Sequence, residues 1–247
     1  MENVVIITGA SGGIGLSLCQ HFRDKGWFVL GTSKEDLAKE GACNAFLKRD
    51  LHILATDPIA MQSFVNDVYN AVDGRPIKSL INNAATQILG KTEALSADDF
   101  ILSFSVNVIA PFLLTKAFVN SLRDNNGNVL NIGSVHAQAT KPEFVAYATT
   151  KTAIHGLTRA LAVDLGPNVR VNTLAPAATA TPMLKSGFEG NDSAYAALAS
   201  THPLARISEV SEVAKAALFL CSDDASFMTG STIFTDGGIL SRLHDPA

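Results

Sequence analysis

The sequence has no excess of positive charge and little charge of either sign. Lysine and arginine number 19 against 23 aspartate and glutamate residues, so the formal net charge is -4 and 17% of residues are charged. Proteins that bind nucleic acid or anionic lipid through electrostatics present a basic surface. The composition therefore predicts no nucleic-acid partner and no membrane partner.

Cysteine is scarce, and its placement excludes two kinds of structure. The three residues, Cys19, Cys43 and Cys221, are odd in number and far apart, with no CxxC pair. A disulfide framework or a zinc site is therefore not expected. No cluster of His, Cys, Asp and Glu has metal-ligand spacing either, so we predict no metal. Each cysteine is expected to be a small buried hydrophobe.

The sequence also shows no targeting segment. Residues 1–3 lead directly into the apolar run 4–7, without a basic region, a small-residue cleavage site or an apolar stretch long enough to cross a bilayer. We therefore expect a soluble, cytoplasmic protein. A chain of 247 residues, 47% hydrophobic, can bury one large core, so residues 1–247 are predicted to form a single domain.

Short apolar runs alternate with longer amphipathic stretches along the whole chain. This order predicts an α/β fold, a Rossmann-type doubly wound parallel sheet of about seven strands with helices on both faces. Pro111 should kink or interrupt its helix. Residues 177–207 contain no clear strand and are interpreted as a mobile substrate lid. The predicted strands are 4–8, 28–32, 45–48, 79–82, 128–132, 169–174 and 232–235, and the predicted helices are near 13–24, 57–72, 97–122, 145–164 and 209–221.

A glycine-rich turn follows the first predicted strand. It runs from Thr8 to Gly15 with the spacing TGxxxGxG. Gly9 allows a tight backbone path, whereas Gly13 and Gly15 let phosphates and the sheet approach the start of the next helix. The N–H groups and the positive dipole end of that helix suit a pyrophosphate. The turn predicts a dinucleotide site that includes Ser11, Gly12 and Ile14.

Tyr147 and Lys151 lie four residues apart on a predicted helix, thirteen residues and more after Ser134. Positions i and i+4 share a helix face, so the ammonium of Lys151 can lie beside the phenol of Tyr147. That proximity should lower the pKa of Tyr147 from its usual value near 10 and make it a usable acid or base. The pair predicts proton-transfer chemistry.

The chain resembles the short-chain dehydrogenase/reductase family over nearly its whole length. The resemblance rests on the order of five features: the glycine turn, residues 82–85, Asn107, Ser134 and the Tyr147/Lys151 pair. The resemblance implies hydride transfer between a nicotinamide and a carbonyl carbon. It implies that Tyr147 donates the proton, Ser134 orients the carbonyl oxygen, and Lys151 holds the nicotinamide ribose. Asn107 would hold a water that links Lys151 to solvent.

The choice of nucleotide is expected at the end of the second strand. An acidic residue there favours NAD by accepting the two ribose hydroxyls. This chain has Thr32, Ser33 and Lys34 instead, two hydroxyl donors and a cation that suit a 2'-phosphate. NADP(H) is therefore predicted, with NAD(H) left open, because many NADP-using relatives carry a basic residue where this turn has Gly12.

Further cofactor contacts are implied only by the resemblance. Asp50 and Leu51 correspond to the pair that brackets the adenine. The segment 82–85, Asn82-Asn83-Ala84-Ala85, corresponds to the family's NNAG sequence, with alanine as its last residue. Pro176 and Thr181 match the PGxxxT sequence near the nicotinamide, although Ala177 replaces its glycine.

The substrate is the least determined feature. Ser134, His136, Tyr147 and Met183 are expected to contact it in a mainly apolar pocket, and a ketone or secondary alcohol is the first choice. His136 fits a pocket wall better than a catalytic role. One alternative is a 3-oxoacyl-carrier-protein reductase, which needs basic docking residues such as Arg170. The other is a regulator that senses NADP(H) without chemistry.

Two long helices carry more apolar residues than one buried face needs, which predicts self-association. In the resembled family these helices pack against symmetry mates. A homotetramer is expected, with a dimer as the alternative, and the apolar tail 239–244 is expected to contribute. The residues concerned are Phe104, Val108, Phe112, Phe118, Ala153, His155, Leu157 and Ala160.

Overall fold

The computed structural model describes residues 1–243, and these contain one seven-stranded parallel sheet. Its order is β3-β2-β1-β4-β5-β6-β7. The predicted doubly wound α/β fold is confirmed. The strands are β1 (Val4–Thr8), β2 (Phe28–Ser33), β3 (Ala45–Lys48), β4 (Ile77–Asn82), β5 (Asn128–Ile132), β6 (Arg170–Pro176) and β7 (Thr232–Thr235).

Helices connect the strands and cover both faces of the sheet. Three of them, α2, α7 and α8, were not predicted, although each begins at a side-chain cap: Asp50, Thr181 and Asn191. The helices are α1 (Gly13–Asp24), α2 (Leu51–Thr56), α3 (Pro58–Val72), α4 (Ala97–Phe104), α5 (Ala110–Asp124), α6 (Val145–Leu165), α7 (Pro182–Ser186), α8 (Asp192–Thr201) and α9 (Val210–Cys221).

The sheet separates two hydrophobic cores, because successive residues of a strand point to opposite faces. On one face Val4 and Ile6 of β1 pack with residues of α3, α5 and α6. On the other face Val5 and Ile7 pack with residues of α1 and α9. Burial on both faces explains why the central strands are apolar throughout and do not alternate.

The long helix around Pro111 is interrupted, as the sequence predicted. A π-helical segment, Ser105–Ile109, joins α4 to α5, and the N–H of Ala110 donates to the carbonyl of Ser105 five residues back. Pro111 has no N–H, so the α-helical bond to the carbonyl of Asn107 cannot form. The interruption therefore falls at Asn107, one of the expected site residues.

The same helical stretch is apolar enough to be mistaken for a membrane span. Ala97–Asp124 runs for 28 residues, and an 18-residue window within it has a mean hydropathy of 1.6. Its polar side chains Ser103, Ser105 and Asn107 are buried within the protein. The stretch packs against β4, β5 and α6 and is a core helix of the fold.

The direction of chain progression reverses between β1 and β4, which are neighbours at the centre of the sheet. In parallel sheets a crevice forms at such a point, outside the carboxyl ends of the strands. The glycine turn follows β1, Asn83 follows β4, and Ser134 follows β5. The fold thus gathers residues that are far apart in sequence at one edge.

Candidate active site

The glycine turn packs too closely against its surroundings for side chains at two positions. Gly9 has φ of 66°, and a Cβ there would lie 2.9 Å from the Cα of Ala84. A Cβ on Gly15 would overlap the carbonyl of Gly9. These two glycines therefore bring the start of α1 against β1 and the loop after β4.

The other face of the turn is open and polar, which fits a dinucleotide phosphate. A Cβ on Gly12 would meet no protein atom within 4 Å. Gly12 is the N-cap of α1, has an extended backbone, and has no side chain to accept from the first helical N–H groups. The N–H groups of Gly13, Ile14 and Gly15 can therefore bind an anion at this helix end.

The loop after β4 is clamped to the glycine turn through Thr8 and Asn83. The Asn83 Nδ2 atom donates to the carbonyls of Thr8 at 2.9 Å and Gly9 at 3.2 Å. The Thr8 hydroxyl accepts from the backbone N–H groups of Asn83 and Ala84, both at 3.0 Å. Asn83 thus shapes the crevice wall, and Ala85 lies exposed just beyond it.

The hydroxyl groups expected at the nucleotide ribose have separate tasks in the structure. The Ser33 and Ser11 Oγ atoms lie 2.9 Å apart, linking the end of β2 to the glycine turn. Lys34 is exposed directly after Ser33. Thr32 was expected to offer a hydroxyl donor, but its Oγ1 is buried and donates to the Leu47 carbonyl at 2.7 Å. That expectation is wrong, because strand alternation turns Thr32 away from the crevice.

The pair expected beside the adenine has structural tasks as well. The Asp50 carboxylate caps α2 by accepting from the N–H of His52 at 2.8 Å. Leu51 is buried in the core. The Leu51 side chain is therefore not available to a ligand.

Tyr147, Lys151 and Ser134 converge where β5 ends beneath α6. The Lys151 ammonium lies 5.6 Å from the centroid of the Tyr147 ring, on the same face of α6. It is buried and donates to the Ile132 carbonyl at 2.7 Å. Ser134 is buried and caps the short helix that begins at Val135, where its hydroxyl accepts from the N–H of His136 at 3.2 Å.

Burial dominates the proton affinities of this cluster. It raises the pKa of Tyr147 to about 12, and the nearby Ser134 hydroxyl only partly opposes that increase. Burial also lowers the pKa of Lys151 to about 8. In the chain alone burial thus outweighs the positive charge of Lys151, so the pKa of Tyr147 is raised and not lowered as the sequence predicted. At neutral pH the phenol is protonated and the ammonium is mainly charged.

Asn107 acts as a clamp between the crevice loop and α6. Its Oδ1 accepts from the N–H of Thr86 at 2.8 Å, and its Nδ2 donates to the Thr86 carbonyl at 2.9 Å. The second Nδ2 hydrogen goes to the Thr150 hydroxyl, also at 2.9 Å. The side chain is thus occupied by protein groups, and no sequence signal identified Thr86 and Thr150 as its partners.

An aromatic wall stands beside the Tyr147 phenol. The rings of His136 and Phe144 are stacked, with centroids 4.4 Å apart and an interplanar angle of 6°. Both present an edge-to-face arrangement to Tyr147. Burial, together with the charge of Lys141, lowers the pKa of His136 to about 4, so its imidazole is neutral at pH 7. His136 therefore belongs to the pocket wall.

The helix face that carries Tyr147 and Lys151 continues inward as a packing surface. His155 is buried beneath Gly133, where any Cβ would overlap the imidazole. Three residues further along, Thr158 Oγ1 accepts from Asn131 Nδ2 and lies 2.7 Å from the Thr173 hydroxyl. These contacts hold α6 against the centre of the sheet and so fix the position of Lys151 relative to β5.

The segment after β6 covers the glycine turn from the side opposite the Asn83 loop. Pro176 ends β6, and Thr181 caps α7 by accepting from the N–H of Leu184 at 3.1 Å. A Cβ on Gly13 would lie 3.2 Å from the Thr181 Cγ2 atom. Thr181 therefore borders the phosphate turn, whereas Met183 is 67% exposed on α7.

Comparison with known proteins agrees with this geometry. The family model described as Enoyl-(Acyl carrier protein) reductase matches residues 9–240. Cyclopentanol dehydrogenase of Comamonas sp. (strain NCIMB 9872) is 33% identical over 246 residues, 96% of this chain and 96% of that protein. The 3-oxoacyl-[acyl-carrier-protein] reductase of Haemophilus influenzae is 29% identical over 241 residues, 96% of this chain and 97% of that protein.

Solved structures resemble the whole chain. Ligand-free aldohexose dehydrogenase of Thermoplasma acidophilum has a TM-score of 0.91 and 29% identity, covering 100% of this chain and 97% of that one. A 4-hydroxyisoleucine dehydrogenase complexed with NADH has a TM-score of 0.88 and 25% identity, covering 98% and 100%. ElxO with NADP bound shares the fold at a TM-score of 0.85 and 24% identity, covering 98% and 99%.

Proposed function

We propose that this chain, which belongs to the short-chain dehydrogenase/reductase family, transfers a hydride between NADP(H) and a ketone or secondary alcohol. Family membership identifies an oxidoreductase. The proposal adds the nucleotide, the substrate class and the residues that act. The observation that carries it is the convergence of Tyr147, Ser134 and Lys151 at the mouth of a crevice lined by the glycine turn.

Each residue of the cluster has a group suited to one task. The bound nicotinamide would supply or accept the hydride. Tyr147, protonated at neutral pH, donates its proton to the oxygen of the substrate carbonyl. The Ser134 hydroxyl holds that oxygen, and the ammonium of Lys151 stabilises the phenolate that remains. Asn107 positions the crevice loop through its contacts with Thr86 and Thr150.

The wall formed by His136 and Phe144 supports an uncharged, mainly apolar substrate. Both rings lie beside Tyr147, and His136 is neutral at pH 7. A ring or chain next to the reacting carbonyl could stack there, whereas a charged group would lose hydration without a partner. We infer a small ketone or secondary alcohol with an apolar substituent.

The carrier-protein alternative loses the basic residue that supported it. Arg170 donates to the carbonyls of Leu220 and Met228, and through its other terminal nitrogen to Ser222. It begins β6, so it lies at the sheet edge opposite the crevice, and Arg123 is at the end of α5 before β5 begins. Neither cation lies where an acidic carrier would deliver a substrate to Tyr147.

The proposal is tested by a screen of ketones and secondary alcohols with NADPH, NADH and their oxidised forms. Absorbance of the reduced nicotinamide reports turnover in both directions. We expect turnover of at least one apolar ketone or alcohol. Tight nucleotide binding without turnover across the panel would instead support a regulator that senses NADP(H).

A preference for NADP(H) is the next expectation, and it depends on the end of β2. Ser33 and Ser11 hold two hydroxyls 2.9 Å apart, with exposed Lys34 beside them and no carboxylate in place of Ser33. NADPH should bind more tightly than NADH in a titration of the wild-type protein. Ser33→Asp should reduce that preference about tenfold or more, by repulsion of the 2'-phosphate.

Two lysines of the same exposed segment provide a test of the nucleotide preference and its matched control. Lys34→Gln should weaken NADPH binding and leave NADH binding unchanged, whereas Lys39→Gln should affect neither, because Lys39 lies further along the exposed loop. Equal or tighter binding of NADH by the wild type would contradict the assignment of Lys34 to a phosphate.

We also propose a homotetramer, in which α4, α5 and α6 pack against symmetry mates. Ile101 is exposed on α4, Ile109 on the π-helical segment, Phe112 on α5 and Val163 on α6. Phe118 and His155 were expected on this surface, but both are buried in their own subunit. The proposed surface is therefore narrower than the sequence suggested.

A cytoplasmic location remains a prediction.

Light scattering across a dilution series tests the assembly. Phe112→Glu should shift the mass towards the monomer, because it places a charge on the apolar surface. Lys25→Glu is the control, because Lys25 is exposed at the end of α1 on the other face of the sheet. A wild-type monomer with full activity would rule the tetramer out. Removal of 240–247 should weaken assembly if the tail contributes, although residues 244–247 lie outside the described part of the chain.

A further inference from the structure

Cys19 and Cys43 meet in the structure, although 24 residues separate them in sequence. Their Sγ atoms are 3.4 Å apart, and both thiols are free. Cys19 lies on the buried side of α1, and Cys43 lies at the end of the segment that joins β2 to β3. The sequence led us to expect unrelated buried residues. The two cysteines are too far apart in sequence for their contact to be predicted, because it arises only when α1 packs on β2.

The surroundings of the two sulfurs make one of them accessible and the other not. Cys19 is fully buried, whereas Cys43 is partly exposed. The contact with the Cys19 thiol and the nearby charge of Arg23 lower the pKa of Cys43, whereas the contact with Cys43 and burial raise the pKa of Cys19. Cys43 is therefore the more nucleophilic thiol, with Cys19 in position to attack it after oxidation.

A bond between these sulfurs would join two parts of the nucleotide crevice. Cys19 is on the helix whose N-terminus forms the glycine turn. Cys43 ends the segment 34–43, which begins at Lys34 and is held to the glycine turn by the bond from the Ala38 N–H to the Ser11 carbonyl at 3.0 Å. The Cys43 sulfur also packs on Gly31 of β2, where a Cβ would lie 2.6 Å from it.

We propose that Cys19 and Cys43 form a reversible disulfide in the folded protein when it meets a hydroperoxide, and that this bond weakens nucleotide binding. The Cys43 thiolate attacks the peroxide oxygen, giving a sulfenic acid and hydroxide. The Cys19 thiol then attacks that sulfur, forming the S–S bond and releasing water. In total, two thiols and one hydrogen peroxide give one disulfide and two waters, and a dithiol reductant reverses the change.

The effect on nucleotide binding follows from the required movement and rests on the proposed function. Sulfurs 3.4 Å apart must approach to about 2.05 Å. Because Cys19 is fixed in the core, the segment that carries Cys43 moves towards α1. Lys34 begins that segment, so its position relative to the glycine turn changes. By thermodynamic linkage, bound NADPH should oppose disulfide formation by the same factor as the disulfide weakens NADPH binding.

Thiol counting tests the modification without reference to catalysis. Purified full-length protein is treated with hydrogen peroxide, unfolded in an alkylating reagent and weighed. We expect alkylation of three cysteines to fall to one, and dithiothreitol to restore three. Cys43→Ser should keep both remaining thiols, whereas Cys19→Ala should form no disulfide and stop at a sulfenic acid on Cys43, which adds one oxygen atom to the mass. Cys221→Ala, the matched control, should still lose two. Loss of two thiols in Cys43→Ser, or none in the wild type, would overturn the proposal.

Two further measurements distinguish the restraint that the disulfide places on segment 34–43 from its effect on NADPH binding. Oxidation should slow tryptic cleavage after Lys34 and Lys39 in the wild type and not in Cys43→Ser. It should also weaken NADPH binding several-fold in the wild type alone. Unchanged NADPH affinity after complete disulfide formation would overturn the regulatory part. Failure of the reduced protein to bind NADPH would instead contradict the proposed function. Disulfide formation would then still be tested by the thiol count alone.

Discussion

Replacement of Tyr147 by phenylalanine should lower turnover by about two to four orders of magnitude, the usual effect of removing a general acid. The substitution keeps the ring that packs against His136 and Phe144, so the pocket wall should persist. Nucleotide affinity should stay close to that of the wild type, because the phenol acts on the substrate oxygen. Steady-state kinetics with the best substrate of the screen, and a separate NADPH titration, measure the two effects.

The chain offers a matched control for this substitution. Tyr69 is one of only three tyrosines, lies on α3, and bonds through its hydroxyl to Ser121 at 2.9 Å. Tyr69→Phe should retain turnover. If purified Tyr147→Phe turned over substrate at nearly the wild-type rate, Tyr147 would not be the proton donor and the proposed mechanism would be wrong.

Replacement of Lys151 by methionine should reduce turnover at least about a hundredfold and also weaken nucleotide binding. Two tasks depend on this ammonium, holding the ribose and stabilising the phenolate, so kcat and nucleotide affinity should fall together. Methionine has a similar length without charge, and the site is only 4% exposed. The variant should therefore fold, and its nucleotide affinity can be titrated directly.

Lys151 should also leave a signature in the pH dependence of stability. Its folded-state pKa is about 8, against 10.5 for the unfolded chain. Between these values the unfolded state binds more protons, so the lysine contribution to stability increases with pH. The free energy of unfolding of the wild type should rise relative to Lys151→Met by about 1.4 kcal/mol per pH unit above pH 8. Below pH 8 the difference should be constant.

Denaturant unfolding of both proteins from pH 6.5 to about 9.5 measures that difference. The upper limit avoids the pKa of Tyr147, and groups that titrate in both proteins cancel. Lys116→Met, exposed on α5, should show no such slope. A flat difference between wild type and Lys151→Met above pH 8 would mean that burial does not lower the pKa of Lys151.

Much of the fold was predictable because its signals are local. Strands β1, β3, β5 and β7 have the predicted ends, since apolar runs bounded by glycine or polar residues determine them. The helix α1 also begins at Gly13 as expected. The sequence did not predict the short helices α2, α7 and α8, because a capping side chain before one to three turns is a weak signal beside apolar periodicity.

The site residues also differ in how far local sequence signals could predict them. Spacing along one helix placed Tyr147 beside Lys151, because a helix has a regular period. The hydrogen-bond partners of Asn107, Thr32 and Arg170 could not be predicted, because each side chain bonds to a residue remote in sequence: Thr86, Leu47 and Leu220. No local pattern records which partner a buried polar group finds.

By itself, then, the sequence determined the alternation of strands and helices, the glycine turn and the identity of the residues that can move a proton, since these depend on backbone period and side-chain chemistry. The tertiary structure alone decided how strongly Tyr147 and Lys151 hold their protons, because desolvation depends on what covers them. It also decided that Cys19 meets Cys43, since contacts between distant segments arise only when helices pack on the sheet.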